Sequence, residues 1–138
     1  MSGIDTAVRG KLAADATVAG YVSTRIYPDE LPQGCTKPAI KYSLVSDVPD
    51  GEVPGFRAAR VQVSVYSDED SPSEANTVAE AVKSAISRTR LQMDPAAWTG
   101  GTTTFTVIEC LCVNAPRLRE PDTLYWHYPV DLLIKYRM

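Results

Sequence analysis

Histidine is almost missing from this chain and cysteine is scarce: His127 is the single histidine, and Cys35, Cys110 and Cys112 are the three cysteines in 138 residues. A structural zinc site needs four nitrogen or sulfur ligands, which these residues do not supply at usable spacings. No metal and no cofactor is expected. Cys110 and Cys112 stand two apart, on one face of any strand that holds them, where strand neighbours are poorly placed to bridge. They read, with Cys35, as small buried apolar residues, and nothing demands an oxidising compartment. A nucleophile with its base would have to be Cys35 with His127, far apart in the sequence. Phosphate-binding glycine signatures are missing as well. Gly51 and Gly55 flank a proline-bearing segment, and Gly100-Gly101 runs into threonines where a helix would be needed. The acids within residues 67–71 lack the glycine and the terminal acid of a calcium loop. With no catalytic constellation, the chain does not read as an enzyme.

Basic excess is lacking too. Lysine and arginine number 14 against 17 aspartates and glutamates, a net charge of −3, and the pI is about 5.1. General attraction to nucleic-acid phosphates or anionic membranes is therefore not expected. Apolar runs are only a few residues long, and the opening MSGIDTAVRGK has no signal-peptide core. The expectation is a chain made and folded in a cytoplasm, with no membrane partner.

What the chain does have is a hydrophobic fraction of 44%, enough for a core in a single domain spanning 1–138; a domain of this size buries roughly 68% of its unfolded surface. Its clearest stretch is residues 60–86. Val61, Val63 and Val65 alternate with Arg60, Gln62, Ser64 and Tyr66, the period of a strand with one buried face. The spacing then changes to Ala75, Val78, Ala79, Val82, Ala85 and Ile86, an apolar helical stripe. Ser71 as N-cap, Pro72 as first helical residue and Glu74 as third position form a capping-box signature between the two.

Ile4, Ala7, Val8 and Leu12 predict a first helix over residues 4–14, and Asp15 or Thr17 a cap for a further short turn. Residues 25–27 are extended, and 29–38, with Pro32, Gly34 and Pro38, form a loop. Alternation predicts a strand over 39–45. Residues 46–56, with two proline-containing turns and glycines able to take positive φ, read as a long loop that is either mobile or has a contact to make. Residues 89–104 read as an irregular link anchored by Trp98. In 105–113, Phe105, Val107, Leu111 and Val113 fall on one face and Ile108, Cys110 and Cys112 on the other. Apolar character on both faces implies a central strand or a face covered by a neighbouring subunit. After a polar segment at 114–123, a long strand over 124–137 puts Trp126, Tyr128, Val130, Leu132, Ile134 and Tyr136 on one face. Pro129 marks an edge or a bulge in it. These elements sum to an α+β fold: two layers, with a largely antiparallel or mixed sheet of about four main strands and two helices packed on one face.

Residues 25–28 (RIYP), 31–34 (LPQG), 38–42 (PAIKY) and the strand and helix of 60–86 together resemble the tail-completion proteins of long-tailed phages. That family takes in tail terminators of the minor tail protein U type and tail-to-head joining proteins. The resemblance covers most of the first two thirds of the chain, and its motifs are structural ones that bring no catalytic residues. It implies a virion structural protein, found in the tail or neck and assembled in the host cytoplasm. The subunit would form a homo-oligomeric ring, usually a hexamer, that caps the tail tube protein and docks to the head connector. DNA would pass through without specific binding, which favours a lumen that is not basic. On this reading the loop with Asp47, Asp50 and Glu52 faces the lumen or the tube. Candidate subunit contacts are Arg60, Gln62, Tyr66, Ile108, Tyr125, Trp126 and Tyr128. The alternatives are a head-completion adaptor or stopper of the neck, or a small cytoplasmic enzyme using Cys35 or His127.

Overall fold

The computed structural model describes residues 3–32, 34–52, 54–87, 96–100, 103–114, 117–119, 121 and 125–137. The polar segment 114–123 lies partly outside these residues, as does the link expected over 89–104, whose described part is not irregular but strand, Ala96–Gly100 paired with the strand that begins at Thr103.

Three helices and seven strands are formed among the described residues, in the order α1 (Ile4–Ala14), α2 (Ala16–Val22), β1 (Ile26–Pro28), β2 (Ala39–Pro49), β3 (Arg57–Ser67), α3 (Ser73–Ile86), β4 (Ala96–Gly100), β5 (Thr103–Asn114), β6 (Leu118–Arg119) and β7 (Trp126–Arg137). The sheet runs β1-β2-β3-β7-β5-β4, with β6 on β7. Four strands, β2, β3, β5 and β7, are long, but among the described residues the sheet has seven strands and the helices number three, against about four main strands and two helices expected. Three short strands extend the sheet, and the short turn after α1 is a full third helix. Every pairing is antiparallel except β1 with β2, so the sheet is mixed.

The apolar alternation explains why the helices lie where they do. Val61, Val63 and Val65 of β3 face the same way as Val130, Leu132 and Ile134 of β7, and all six are buried. Val78, Ala79, Val82 and Ile86 of α3 and Ile4, Val8 and Leu12 of α1 complete the same core. Each fully buried aliphatic side chain contributes about 1.5–3 kcal/mol. Asp15 caps α2, accepting from the backbone N–H of Thr17 and of Val18, each at 3.0 Å. Arg25 fastens the next turn: its Nε donates to Pro38 O at 2.9 Å and its Nη2 to Tyr21 O at 3.2 Å.

Local expectations are corrected at further places. Residues 46–49 are strand, not loop, because they pair with Arg57 to Arg60 and carry the β2–β3 hairpin out to Pro49 opposite Arg57. Only Gly55 of the two tip glycines takes positive φ, at 81°. The capping box before α3 is not made. Pro72 occupies the cap position, the Ser71 hydroxyl accepts from Ser73 N–H, and Glu74 accepts from the Ser67 hydroxyl at 2.8 Å, tying the end of β3 to the start of α3. In β5, a register shift between Val107 and Glu109 makes Ile108 an extra residue and reverses the alternation beyond it. Phe105, Val107 and Cys110 are consequently the buried set, while Val113 and Cys112 are exposed. Of the cysteines only Cys110 is buried.

Pro129 lies inside a central strand, opposite Ser64 of β3. On its other side the β5 ladder ends at Asp131 and β6 begins at His127, so the proline falls at a gap between described partners, where a missing N–H is tolerated.

At the far side of the sheet α1 touches β4 backbone to backbone. A Cβ on Gly100 would stand 2.8 Å from Ala7 N, and one on Gly10 would stand 3.0 Å from Thr99 O. Gly100→Ala should therefore lower stability by about 1–3 kcal/mol through overpacking. Gly20→Ala in α2, where nothing lies within 4 Å, should raise it by roughly 0.5–1 kcal/mol. Urea midpoints of the two variants check the pair.

Candidate assembly interface

Two clusters organise the hairpin end of the sheet. On the helix side, Asp47 of β2 lies diagonal to Arg57 of β3, which stands directly opposite Tyr136 of β7. Arg57 Nε donates to Asp47 Oδ1 at 2.9 Å and its Nη2 to Asp47 O at 3.1 Å. The Tyr136 hydroxyl donates to Asp47 Oδ2. Burial, then the Asp47 carboxylate, pushes the Tyr136 phenol up to about 12, and the bond to Asp47 raises Arg57. On the opposite face Lys135, only 7% exposed, is enclosed by the tip. Its Nζ donates to Glu52 Oε2 at 3.1 Å and lies 3.7 Å from Asp50 Oδ2, on a side chain 5% exposed. Asp50 Oδ1 in turn accepts from the backbone N–H of Glu52 at 3.0 Å. Asp47, Asp50 and Glu52, expected as one acidic loop, thus sit on two faces of a hairpin, and each is held against a cation.

The expected contact residues are separated by the fold. Arg60 is exposed on the face away from the helices, beside half-buried Gln62, whose Nε2 donates to Asp131 Oδ1 at 3.0 Å. Ile108 is half-buried in the β5 bulge. Tyr66 is buried within the chain, stacked on His127 at 4.3 Å, with Lys41 Nζ 5.6 Å from its ring. Tyr128 packs against the core, with Lys83 Nζ 5.2 Å from its ring. Tyr125 lies under Lys37 at 4.1 Å. Trp126 has Arg117 and Arg119 over its ring at 5.7 and 5.2 Å, and its indole N–H bonds Asp70 O at 3.0 Å. Most of these aromatics are engaged inside the subunit.

Sequence reasoning missed Leu44, Val45 and Val48, whose exposures are 40%, 61% and 53%. Leu44 and Val45 close the strand expected over 39–45 and Val48 falls in the expected loop, and no pattern along the sequence marks the three as exposed. β1 pairs β2 only at Ile40, Lys41 and Tyr42. Beyond that, among the described residues, β2 has a neighbour on one side alone. An open edge carrying apolar side chains is a surface that proteins normally cover.

The family described as tail completion protein gp17 matches residues 6–137. The chain belongs to that family. It is a structural component of the virion, placed in the tail or neck, and the family is not an enzyme class. Its fold is similar to that of a chain from a structure titled "Virion of native gene transfer agent (GTA) particle", with a TM-score of 0.69 and 21% identity over 98% of this chain and 95% of that one. No curated protein matches it. Among the described residues no group of three or more His, Cys, Asp or Glu could hold a metal ion, and no helix is long and apolar enough to cross a membrane.

Two measurements check the hairpin clusters. Lys135→Met leaves the Asp50 carboxylate buried without its cation, so stability should fall by about 3–5 kcal/mol. Amide exchange should quicken first at residues 49–57, and equal protection there would contradict the assignment. Tyr136 ionises near pH 10 when unfolded and only near 12 when folded. Its contribution is therefore full below pH 10 and is lost as pH rises towards 12. Cys110, raised from 9 to about 12 by burial, acts in the same direction from pH 9. Urea midpoints should decline above pH 9, and Tyr136→Phe should make the decline shallower.

Proposed function

We propose that this tail-completion family member is a tail-terminator or tail-to-head joining subunit. Copies of it form a ring, a hexamer on the family pattern, that caps the finished tail tube and docks to the head connector. The observation that carries this reading is the β2 edge beyond Tyr42, a strand with one side unpaired and with exposed Leu44, Val45 and Val48. Such a surface suits a subunit whose final contacts are made with other chains. The hairpin tip is the part that faces the lumen or the tube. Asp47 pairs with Arg57, and Asp50 and Glu52 share Lys135, so these acids and their cations are fixed within the subunit.

Electron microscopy of particles produced without this protein tests the assignment. Overlong tails unattached to heads are expected. Tails of normal length beside tail-less heads would instead favour an adaptor or stopper on the head side and overturn the terminator reading.

A further inference from the structure

Exposed apolar side chains are not evenly scattered over this subunit. Among the described residues six large ones are exposed: Leu44, Val45 and Val48 run along the hairpin arm of β2, Leu118 lies on β6 towards the other end of the sheet, and Tyr21 and Val113 stand apart from both. Their ladders fix the separation. β3 runs from Arg57 at the hairpin to Ser67 beside Trp126, and β6 joins β7 at Trp126 and His127. Val48 stands on the rung of Ala58 and Leu118, through His127, on the rung of Tyr66, eight residues apart on β3, which separates them by about 26 Å along the strands at roughly 3.3 Å per residue. Patches at opposite ends of one body cannot cover each other within a single subunit.

Charge follows the same division. At the hairpin end the internal ion pairs consume Asp47, Asp50 and Glu52, which leaves Arg60 exposed, with no ion pair among the described residues, and Arg137 exposed over the Phe56 ring. At the other end Asp68, Glu69 and Asp70 are consecutive and exposed. Arg117 and Arg119 beside them lie over Trp126. Glu69 is also raised in pKa by its hydrogen bond to Glu74 and by that neighbour's charge, a crowding that an incoming cation would relieve.

We propose that the two ends meet between copies. The hairpin of one subunit, through Val45, Val48 and Arg60, packs on the neighbour's β6 and α3 entry, at Leu118 and Asp68 to Asp70. The occupant of the open β2 edge is thus a second copy of this chain in a head-to-tail arrangement. Two different patches meeting in this way generate a ring or an open filament, never a closed symmetric pair. The inference rests on the ring-subunit reading and specifies its interface.

Mixing of one-sided variants tests it. Val45→Asp/Val48→Asp removes one patch and Leu118→Asp the other. Each variant alone should be monomeric by native mass at concentrations where the wild type assembles, alone or on tail tubes. Mixed together they should form one-to-one dimers and nothing larger, because each supplies the patch the other lacks. Arg60→Glu should weaken assembly roughly tenfold or more, and Asp70→Lys introduced with it should restore most of that loss. Circular dichroism unchanged from wild type confirms that the variants are folded. A wild-type ring that survives both apolar variants, or folded variants that never pair on mixing, would overturn this interface while leaving the ring in place. A wild-type chain that stays monomeric both alone and with tail tubes would end the ring reading itself.

Discussion

The antiparallel ladder between β3 and β7 is the interaction on which the other features depend. It runs without a shift from Arg57 opposite Tyr136 to Ser67 opposite Trp126. An unbroken register fixes parity, so the valines of one strand and the aliphatics of the other must share a face. That shared face gives the helices their platform. The same register brings Tyr136 beside Arg57 and sets Lys135 on the reverse side, where the tip can close over it. A one-residue slip would move the core valines to the opposite face and separate both charged clusters from their partners.

The hairpin follows from this ladder combined with a difference in length. β2 continues past its short partner β1, and the helices cover the core without covering Leu44 or Val48. The subunit therefore has a well-packed body and an arm whose backbone is held by β3 on one side only. Ion pairs at the base and tip of the arm limit its freedom, since Lys135, Asp50 and Glu52 join it to the central strand. Buried pairs of this kind are weak as sources of net stability, but removal of one partner is costly, so they suit positioning.

Much of this was legible in the sequence where a local pattern decided the structure. The Val61, Val63 and Val65 alternation and the stripe from Ala75 to Ile86 each specify their own element, and both are formed. Errors arose where a distant partner decided. The bulge at Ile108 depends on how β5 meets β7, and no residue within 105–113 announces it. Residues 46–49 resembled a turn because of Asp47 and Pro49, with Asp50 and Gly51 directly after them. An edge strand tolerates proline, however, and Asp47 is satisfied by Arg57 across the hairpin. Likewise the acids of the tip looked like free charge because Lys135 lies more than eighty positions away in the chain. The resemblance motifs prove structural in role: Arg25 binds carbonyls at Tyr21 and Pro38, and Ile26–Pro28 forms β1.

The close seating of α1 on β4 has a consequence for the life of the unassembled subunit. Helices that pack across side chains leave about 10 Å between layers, whereas here Gly10 and Gly100 let two backbones nearly touch. The β4 end of the sheet is thus fastened to the chain's own first helix. The β2 margin beyond Tyr42 is, among the described residues, open to an incoming strand, and it is the edge that a pool of subunits waiting for tails must keep from pairing wrongly.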